Sequence, residues 1–123
     1  MVRRFQKSDM EEIICWFHER NLKITPDYLS PTGFIEPGVC AGFIYATDSN
    51  FVIFESFISN PHTTKEQRRA ALERVVAEMI IEAKEMGYKQ AFGFAVSPTM
   101  INIGMEQGFK KVEQCTTIVK SLR

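Results

Sequence analysis

The sequence has little cysteine, only two histidines and no excess of charge of either sign. Its three cysteines, Cys15, Cys40 and Cys115, stand far apart and show none of the paired spacings of a metal site or a disulfide framework. Fifteen basic residues balance fifteen acidic ones, so no overall field favours binding to nucleic acid or to an anionic membrane. We therefore predict no metal site, and neither nucleic acid nor membrane as a partner.

Long apolar runs are missing as well. No window approaches the roughly 18 apolar residues of a membrane span, and the start, MVRRFQKSDMEE, lacks the apolar stretch of a signal peptide. The composition, with 45% hydrophobic and 24% charged residues among 123, is that of a folded globular protein. This length suits one hydrophobic core, so we expect a single domain over residues 1–123 in a cytoplasmic protein.

The first half of the chain predicts a strand, a helix and three further strands. A short apolar run at 2–5 precedes an amphipathic segment that reaches about Asn21, with Ser8 and Glu11 spaced as a capping box. A polar stretch with two prolines, ITPDYLSPTG, follows and predicts a loop or a short irregular helix. Three β-rich segments come next, at 33–36, 39–47 and 51–59. The last of them, FVIFESFIS, is apolar at both alternating sets of positions, which is typical of a strand in the middle of a sheet.

The second half predicts helices that alternate with strands. Residues 65–86 carry the clearest helical periodicity, and Gly87 is suited to end that helix in a left-handed conformation. The remaining predicted elements are a strand at 90–96, a short helix from Ser97-Pro98 to Gly108, and a final antiparallel pair at 109–112 and 115–119. The long helix joins two buried strands, which predicts that they are parallel neighbours.

Several short motifs lie between the fourth strand and the C-terminal end. Asn-Pro at 60–61 precedes the long helix, Gly-Tyr at 87–88 follows it, and Gly-Phe at 108–109 follows the short one. In these motifs and in its element order the chain resembles the GNAT superfamily of acyl-CoA-dependent N-acetyltransferases, and most of all a divergent short group common in bacteriophage and related genomes. The resemblance implies an α/β fold of the α+β type, with a central mixed sheet of about six to seven strands flanked by helices, and acetyl-CoA as cosubstrate.

The resemblance also implies a cofactor-binding segment at the start of the long helix. GNAT proteins carry Gln or Arg, two variable residues, Gly, one variable residue, and Gly or Ala there. Gln67 fits this pattern, whereas Ala70 and Leu72 stand at the two glycine positions. Backbone amides of this segment would hold the diphosphate of CoA, with charge-assisted contacts from Arg68 and Arg69. Solvated surface arginines are the alternative.

A competing interpretation of the same segment comes from Thr64 and Gln67, which form a T-x-x-Q capping box. If Thr64 caps the helix, its side chain occupies an amide that a phosphate would need.

The resemblance further places Phe57, Ile58 and Ser59 where backbone groups of the fourth strand bind the pantetheine arm of CoA.

Glu55 is the only charged residue in the apolar strand FVIFESFIS. Burial disfavours the charged form of a carboxyl group, which suits a general base, although a structural carboxylate is the alternative.

The family's proton-donating tyrosine has no counterpart, because Gly104 stands at its position and Ser97 and Thr99 are the nearest hydroxyls. Tyr28, together with Trp16 and Phe34, is a candidate for shaping the acceptor pocket or for completing the core.

Two functions follow from these residues. The first is transfer of an acetyl group from acetyl-CoA to an unidentified small-molecule or peptide amine. The second is a non-catalytic GNAT-fold binding or accessory protein of the phage or prophage type with a degenerate cofactor loop. A homodimer is left open in either case.

Overall fold

One five-stranded mixed sheet organises the chain, and the computed structural model describes it over residues 1–123. The strands are β1 (Arg3–Arg4), β2 (Gly33–Glu36), β3 (Cys40–Ala46), β4 (Phe51–Ser59) and β5 (Gln90–Gly93). They lie side by side in chain order; β1 to β4 are antiparallel neighbours, and β5 runs parallel to β4. The parallel pair predicted from the crossover helix is thus confirmed.

Three helices cover the sheet. They are α1 (Met10–Glu19), α2 (Lys65–Glu85) and α3 (Pro98–Glu106), with short 3-10 turns at Lys7–Asp9 and Pro26–Tyr28. Buried residues of α1 pack with Phe43 on one face of the sheet, whereas buried residues of α2 pack with Ile44 on the other. Since neighbouring residues of β3 reach both cores, the sheet is sandwiched between α1 and α2. None of the helices has the length and apolar character that crossing a membrane requires.

The ends of the long helix follow the sequence closely. Thr64 is the N-cap of α2, and the helix ends one residue before the predicted Met86. Gly87 has a φ of 89°, the left-handed conformation predicted for it. The start of α1 differs from the prediction, because Asp9 and not Ser8 is its N-cap. The Asp9 carboxylate accepts the amide hydrogen of Gln6 at 2.8 Å and pairs with Arg3. The capping box therefore lies between Gln6 and Asp9, in the 3-10 turn that precedes α1.

The middle of β4 contains a bulge that the sequence did not reveal. Ser56 has a φ of 60°, and the pairing with β3 shifts between Ala41 and Phe43 at this point. Glu55 lies opposite Phe43, on the α1 face, whereas the Phe57 ring packs on the α2 side. The bulge therefore reverses which residues of β4 face which helix beyond Ser56. Both alternating sets of this strand are apolar because a core covers each face of the sheet.

The C-terminal prediction was wrong in its secondary structure. No strand forms at 109–112 or 115–119, and residues 110–123 are exposed. The sheet therefore has five strands instead of the predicted six to seven, and β5 ends at Gly93 instead of residue 96. Two short strands without a packed face gain too little buried area to hold a hairpin, and the apolar side chains of this segment, such as Ile118, remain in solvent.

Candidate functional site

The fourth and fifth strands part halfway along β4. Only Phe51 to Phe54 pair with β5, which ends at Gly93. The second half of β4 continues beyond that pairing, so its backbone on this side has no neighbouring strand. An extended ligand can bind such an edge through main-chain hydrogen bonds.

A cavity of about 500 Å³ lies beside this open edge. Six of the nine residues predicted for the site line it: Phe57, Ile58, Ser59, Arg68, Arg69 and Leu72. Gln67, Ala70 and Glu55 do not line it. The structure thus brings six of the predicted residues together at one cavity and places three outside its wall. A second hollow, of about 640 Å³, lies along the outer side of α1 and contains none of the predicted residues.

The lining of this cavity is basic. Arg20 and Lys65 join Arg68 and Arg69 in its wall, and no carboxylate lines it. Ser97 and Thr99, from the start of α3, add two hydroxyl groups. A concave surface with several cations and no acid is electrostatically suited to a ligand that carries phosphate groups.

Arg20 was not among the predicted residues. It is the C-cap of α1, and its guanidinium group donates to the Ser59 carbonyl oxygen at 3.0 Å and to Ser59 Oγ at 2.9 Å. Partial burial and the neighbouring Arg68 lower the pKa of Arg20. The contact joins residues 39 positions apart, and no motif in the sequence marks it.

The amides of Gln67 and Arg68 at the start of α2 already have acceptors. Gln67 N donates to Thr64 Oγ1 at 3.1 Å, and Arg68 N donates to the carbonyl oxygen of Thr64 at 3.0 Å. The capping box predicted as the competing interpretation is thus confirmed. An anion could reach the Gln67 amide only by displacing the Thr64 hydroxyl. The side chains of Arg68 and Arg69, in contrast, line the cavity.

Glu55 lies at the bulge. Its side chain is half-buried, and Oε1 accepts the amide hydrogen of Ser56 at 3.0 Å. Since it does not line the cavity, a proton could pass between this carboxylate and a ligand there through water. Tyr45, on the neighbouring strand, bonds the Ser56 hydroxyl at 2.7 Å, so the bulge is held from both sides.

The other residues considered for catalysis or acceptor binding divide clearly. Gly104 faces Phe109, since a Cβ there would lie 3.6 Å from the Cβ of that phenylalanine, and it does not line the cavity. Trp16 and Phe34 belong to the two cores, whereas Tyr28 is exposed. The hydroxyls that reach the cavity are those of Ser59, Ser97 and Thr99.

No family model and no curated protein sequence matches the chain. Solved structures do. A Mycobacterium tuberculosis protein in complex with CoA is 16% identical, with a TM-score of 0.74 over 92% of this chain and 73% of that one. A Trypanosoma brucei acetyltransferase is 12% identical, with a TM-score of 0.67 over 98% and 99%. An aminoglycoside acetyltransferase from an uncultured soil sample is 13% identical, with a TM-score of 0.68 over 100% and 96%. Together with the parted strands, these similarities show that the chain has the fold of the GNAT superfamily of acetyltransferases.

Proposed function

We propose that the protein transfers an acetyl group from acetyl-CoA to an amine of a small molecule or peptide. The observation that carries this proposal is the cavity between the second half of β4 and the start of α2, whose wall is basic and free of carboxylates. Its volume of about 500 Å³ is in the range of small-molecule sites, roughly 300–1,000 Å³. Similar structures include a protein in complex with CoA and named acetyltransferases.

The two ends of acetyl-CoA would meet different parts of this wall. The pantetheine arm would follow the open backbone of Phe57, Ile58 and Ser59, since that edge has no strand partner. The diphosphate would lie near Arg68 and Arg69 at the start of α2. This orientation brings the thioester toward the bulge at Ser56.

In the proposed reaction the amine nitrogen attacks the thioester carbonyl carbon, and the carbon–sulfur bond then breaks. Glu55 accepts the proton that the amine loses, through water, since its carboxylate stands at the bulge outside the cavity wall. The departing thiolate takes a proton from water or from the hydroxyls of Ser97 and Thr99, which line the same cavity. A thiol has an ordinary pKa of about 8.5, so protonation by water suffices for turnover at a reduced rate.

Thermal unfolding with acetyl-CoA tests the binding step. A ligand present at 100 times its dissociation constant adds about 2.7 kcal/mol to the free energy of unfolding, which raises the melting temperature by several degrees. An unmoved melting temperature at millimolar acetyl-CoA would favour the non-catalytic accessory protein instead.

A variant tests the catalytic step. Glu55→Gln keeps the shape of the side chain and removes the base, so kcat with an accepted amine should fall by roughly 10²–10⁴-fold while the affinity for acetyl-CoA stays nearly the same. Glu113→Gln, in the exposed C-terminal segment, is the matched control and should leave both unchanged. Equal turnover of the two variants would remove Glu55 from the mechanism.

A further inference from the structure

The arginines of this chain differ in whether a carboxylate neutralises them. Of seven arginines, four form ion pairs with carboxylates: Arg3 with Asp9, Arg4 with Glu82, Arg69 with Glu73 and Glu106, and Arg74 with Glu36. Arg20, Arg68 and Arg123 form none. Arg123 lies in the exposed C-terminal segment, whereas Arg20 and Arg68 line the same cavity.

The two unpaired arginines of the cavity come from helices that pack on opposite faces of the sheet. Arg20 ends α1 and donates to the carbonyl and hydroxyl oxygens of Ser59. Arg68 lies in the first turns of α2 and donates to the carbonyl oxygen of Thr63. Both guanidinium groups are therefore held in place by neutral oxygens and keep their full positive charge.

Placing these two cations beside each other has an electrostatic cost. Their mutual repulsion contributes to the lowered pKa of Arg20, after the larger effect of partial burial. The neighbouring Glu19 offsets part of this repulsion by raising the pKa of Arg20, but no acidic residue lines the cavity itself. An anion with two charged oxygens within reach of both guanidinium groups would remove the repulsion and form charge-assisted hydrogen bonds.

Two backbone amides at the start of α2 already have acceptors. The amide of Gln67 donates to Thr64 Oγ1, and the amide of Arg68 donates to the carbonyl oxygen of Thr64. The sequence also provides no glycine between Ser59 and Val76 to open the chain. At Gln67 and Arg68, contacts to a phosphate would therefore come from side chains and not from the bonded amides.

We propose that Arg20, which follows α1, and Arg68 of α2 form a guanidinium clamp that binds the diphosphate of the acyl-CoA cosubstrate, in place of the capped amide of Gln67. This inference rests on the proposed function, because it assigns a part of the same ligand. It adds a binding residue from α1, a helix to which the sequence assigned no role in cofactor binding. Diphosphate binding would then also tie the end of α1 to the start of α2.

Calorimetric titration of four proteins with three probes tests the clamp. The proteins are the unmodified chain, Arg20→Gln, Arg20→Lys and Arg123→Gln. The probes are CoA, pantetheine, which lacks the diphosphate and the nucleotide, and inorganic pyrophosphate. Arg123→Gln is the matched control, because it removes an unpaired arginine outside the cavity.

The clamp predicts a selective loss. Arg20→Gln should lower the affinity for CoA and for pyrophosphate by about tenfold or more and leave the affinity for pantetheine within about twofold of the unmodified chain. It should also reduce the dependence of CoA affinity on salt. Arg20→Lys keeps the charge without the forked geometry and should lower the affinity for CoA by a smaller factor. If Arg20→Gln does not fold, Arg20→Lys serves as the test. The control should match the unmodified chain with every probe.

The other outcomes separate the clamp from the proposed function. If Arg20→Gln lowers the affinity for CoA and the affinity for pantetheine by the same factor, Arg20 acts only by holding Ser59, and the clamp is overturned. If CoA binds the unmodified chain and Arg20→Gln equally well, the clamp is overturned and the transferase proposal stands. If the chain binds pyrophosphate through Arg20 but binds neither CoA nor pantetheine, the anion site stands and the transferase proposal fails. Failure of all three probes overturns both.

Discussion

At the start of α2, the side chains of Thr64 and Gln67 each accept a hydrogen bond from the other residue's backbone amide. Gln67 N donates to Thr64 Oγ1 at 3.1 Å, and Thr64 N donates to Gln67 Oε1 at 2.9 Å. Because α2 begins at Lys65, the segment 67–72, where the resemblance led us to expect glycines, is already helical in this chain. Ala70 and Leu72 then suit the helix better than glycine would, which explains the missing glycines.

The first prediction separates the two effects of this capping box. Thr64→Ala should lower the free energy of unfolding by about 1 kcal/mol, because a helix amide loses its acceptor. The same change uncovers the Gln67 amide, so the affinity for CoA should stay equal or rise. Urea unfolding and calorimetric titration measure the two quantities. Thr117→Ala, in the exposed C-terminal segment, is the control. A loss of CoA affinity in Thr64→Ala would mean that the threonine hydroxyl itself contacts the ligand.

The second prediction concerns the bulge in β4. A Cβ at Gly42 would lie 2.5 Å from Cε1 of Phe57 and 2.9 Å from Sδ of Met79. Gly42→Ala should therefore cost about 1–3 kcal/mol of stability as the Phe57 ring is displaced, and acetyl-CoA affinity should fall because Phe57 lines the cavity. Thermal unfolding with and without acetyl-CoA measures both effects.

Gly93→Ala provides the comparison for Gly42→Ala. A Cβ at Gly93 meets nothing closer than the carbonyl oxygen of Phe54 at 3.9 Å, so this variant should be about as stable as the unmodified chain. Phe57→Leu combined with Gly42→Ala should recover part of the lost stability. Equal stability of Gly42→Ala and Gly93→Ala would show that the Phe57 ring does not need the space above Gly42.

The third prediction follows from the bidentate pair of Glu36 and Arg74. The two hydrogen bonds measure 2.8 and 2.7 Å, and the guanidinium group lowers the pKa of the Glu36 carboxyl. A lowered pKa means that the unfolded chain binds the proton more readily. The stabilisation is therefore complete above the unfolded pKa of about 4.3 and is lost as the pH falls through the lower pKa of the folded state.

Glu36→Gln should therefore be less stable than the unmodified chain at pH 7, by about 1 kcal/mol, because half-exposed Arg74 is screened by solvent. The difference should shrink as the pH falls from about 5 to about 3. Urea unfolding across this range gives the curve, with Glu113→Gln as an exposed control. A difference that stays constant with pH would show that the pair makes no charge-dependent contribution.

Sequence reasoning was most accurate where periodicity was long or strands were bounded by turns. The bounds of β2 and β4 match the prediction, and α2 differs by one residue at its end. Phe57, Arg68 and Leu72 lie on these elements, and the structure brings them together at one cavity.

The features that escaped prediction depend on contacts between distant residues. The bulge at Ser56 has no glycine to mark it, and it is held by Tyr45 from the neighbouring strand. Arg20 reaches Ser59 only because α1 packs across the sheet. The local pattern of 115–119 is that of a strand, yet a strand needs a partner and a packed face, and neither is encoded in those residues alone.

The last prediction tests the C-terminal segment. A chain that ends at Lys111 should keep its stability within about 0.5 kcal/mol, because the residues beyond it are exposed and the one hydrogen bond that they form, from Arg123 N to Ser121 Oγ, is local. A chain that ends at Gly108 also loses Phe109, whose ring lies 5.9 Å from that of Phe54 and packs on the α2 core. That chain should be less stable by about 3 kcal/mol. Urea unfolding of both chains measures the contrast. A loss above about 2 kcal/mol in the longer one would exceed the usual effect of surface changes and would indicate that 109–112 and 115–119 form the antiparallel pair that the sequence predicted.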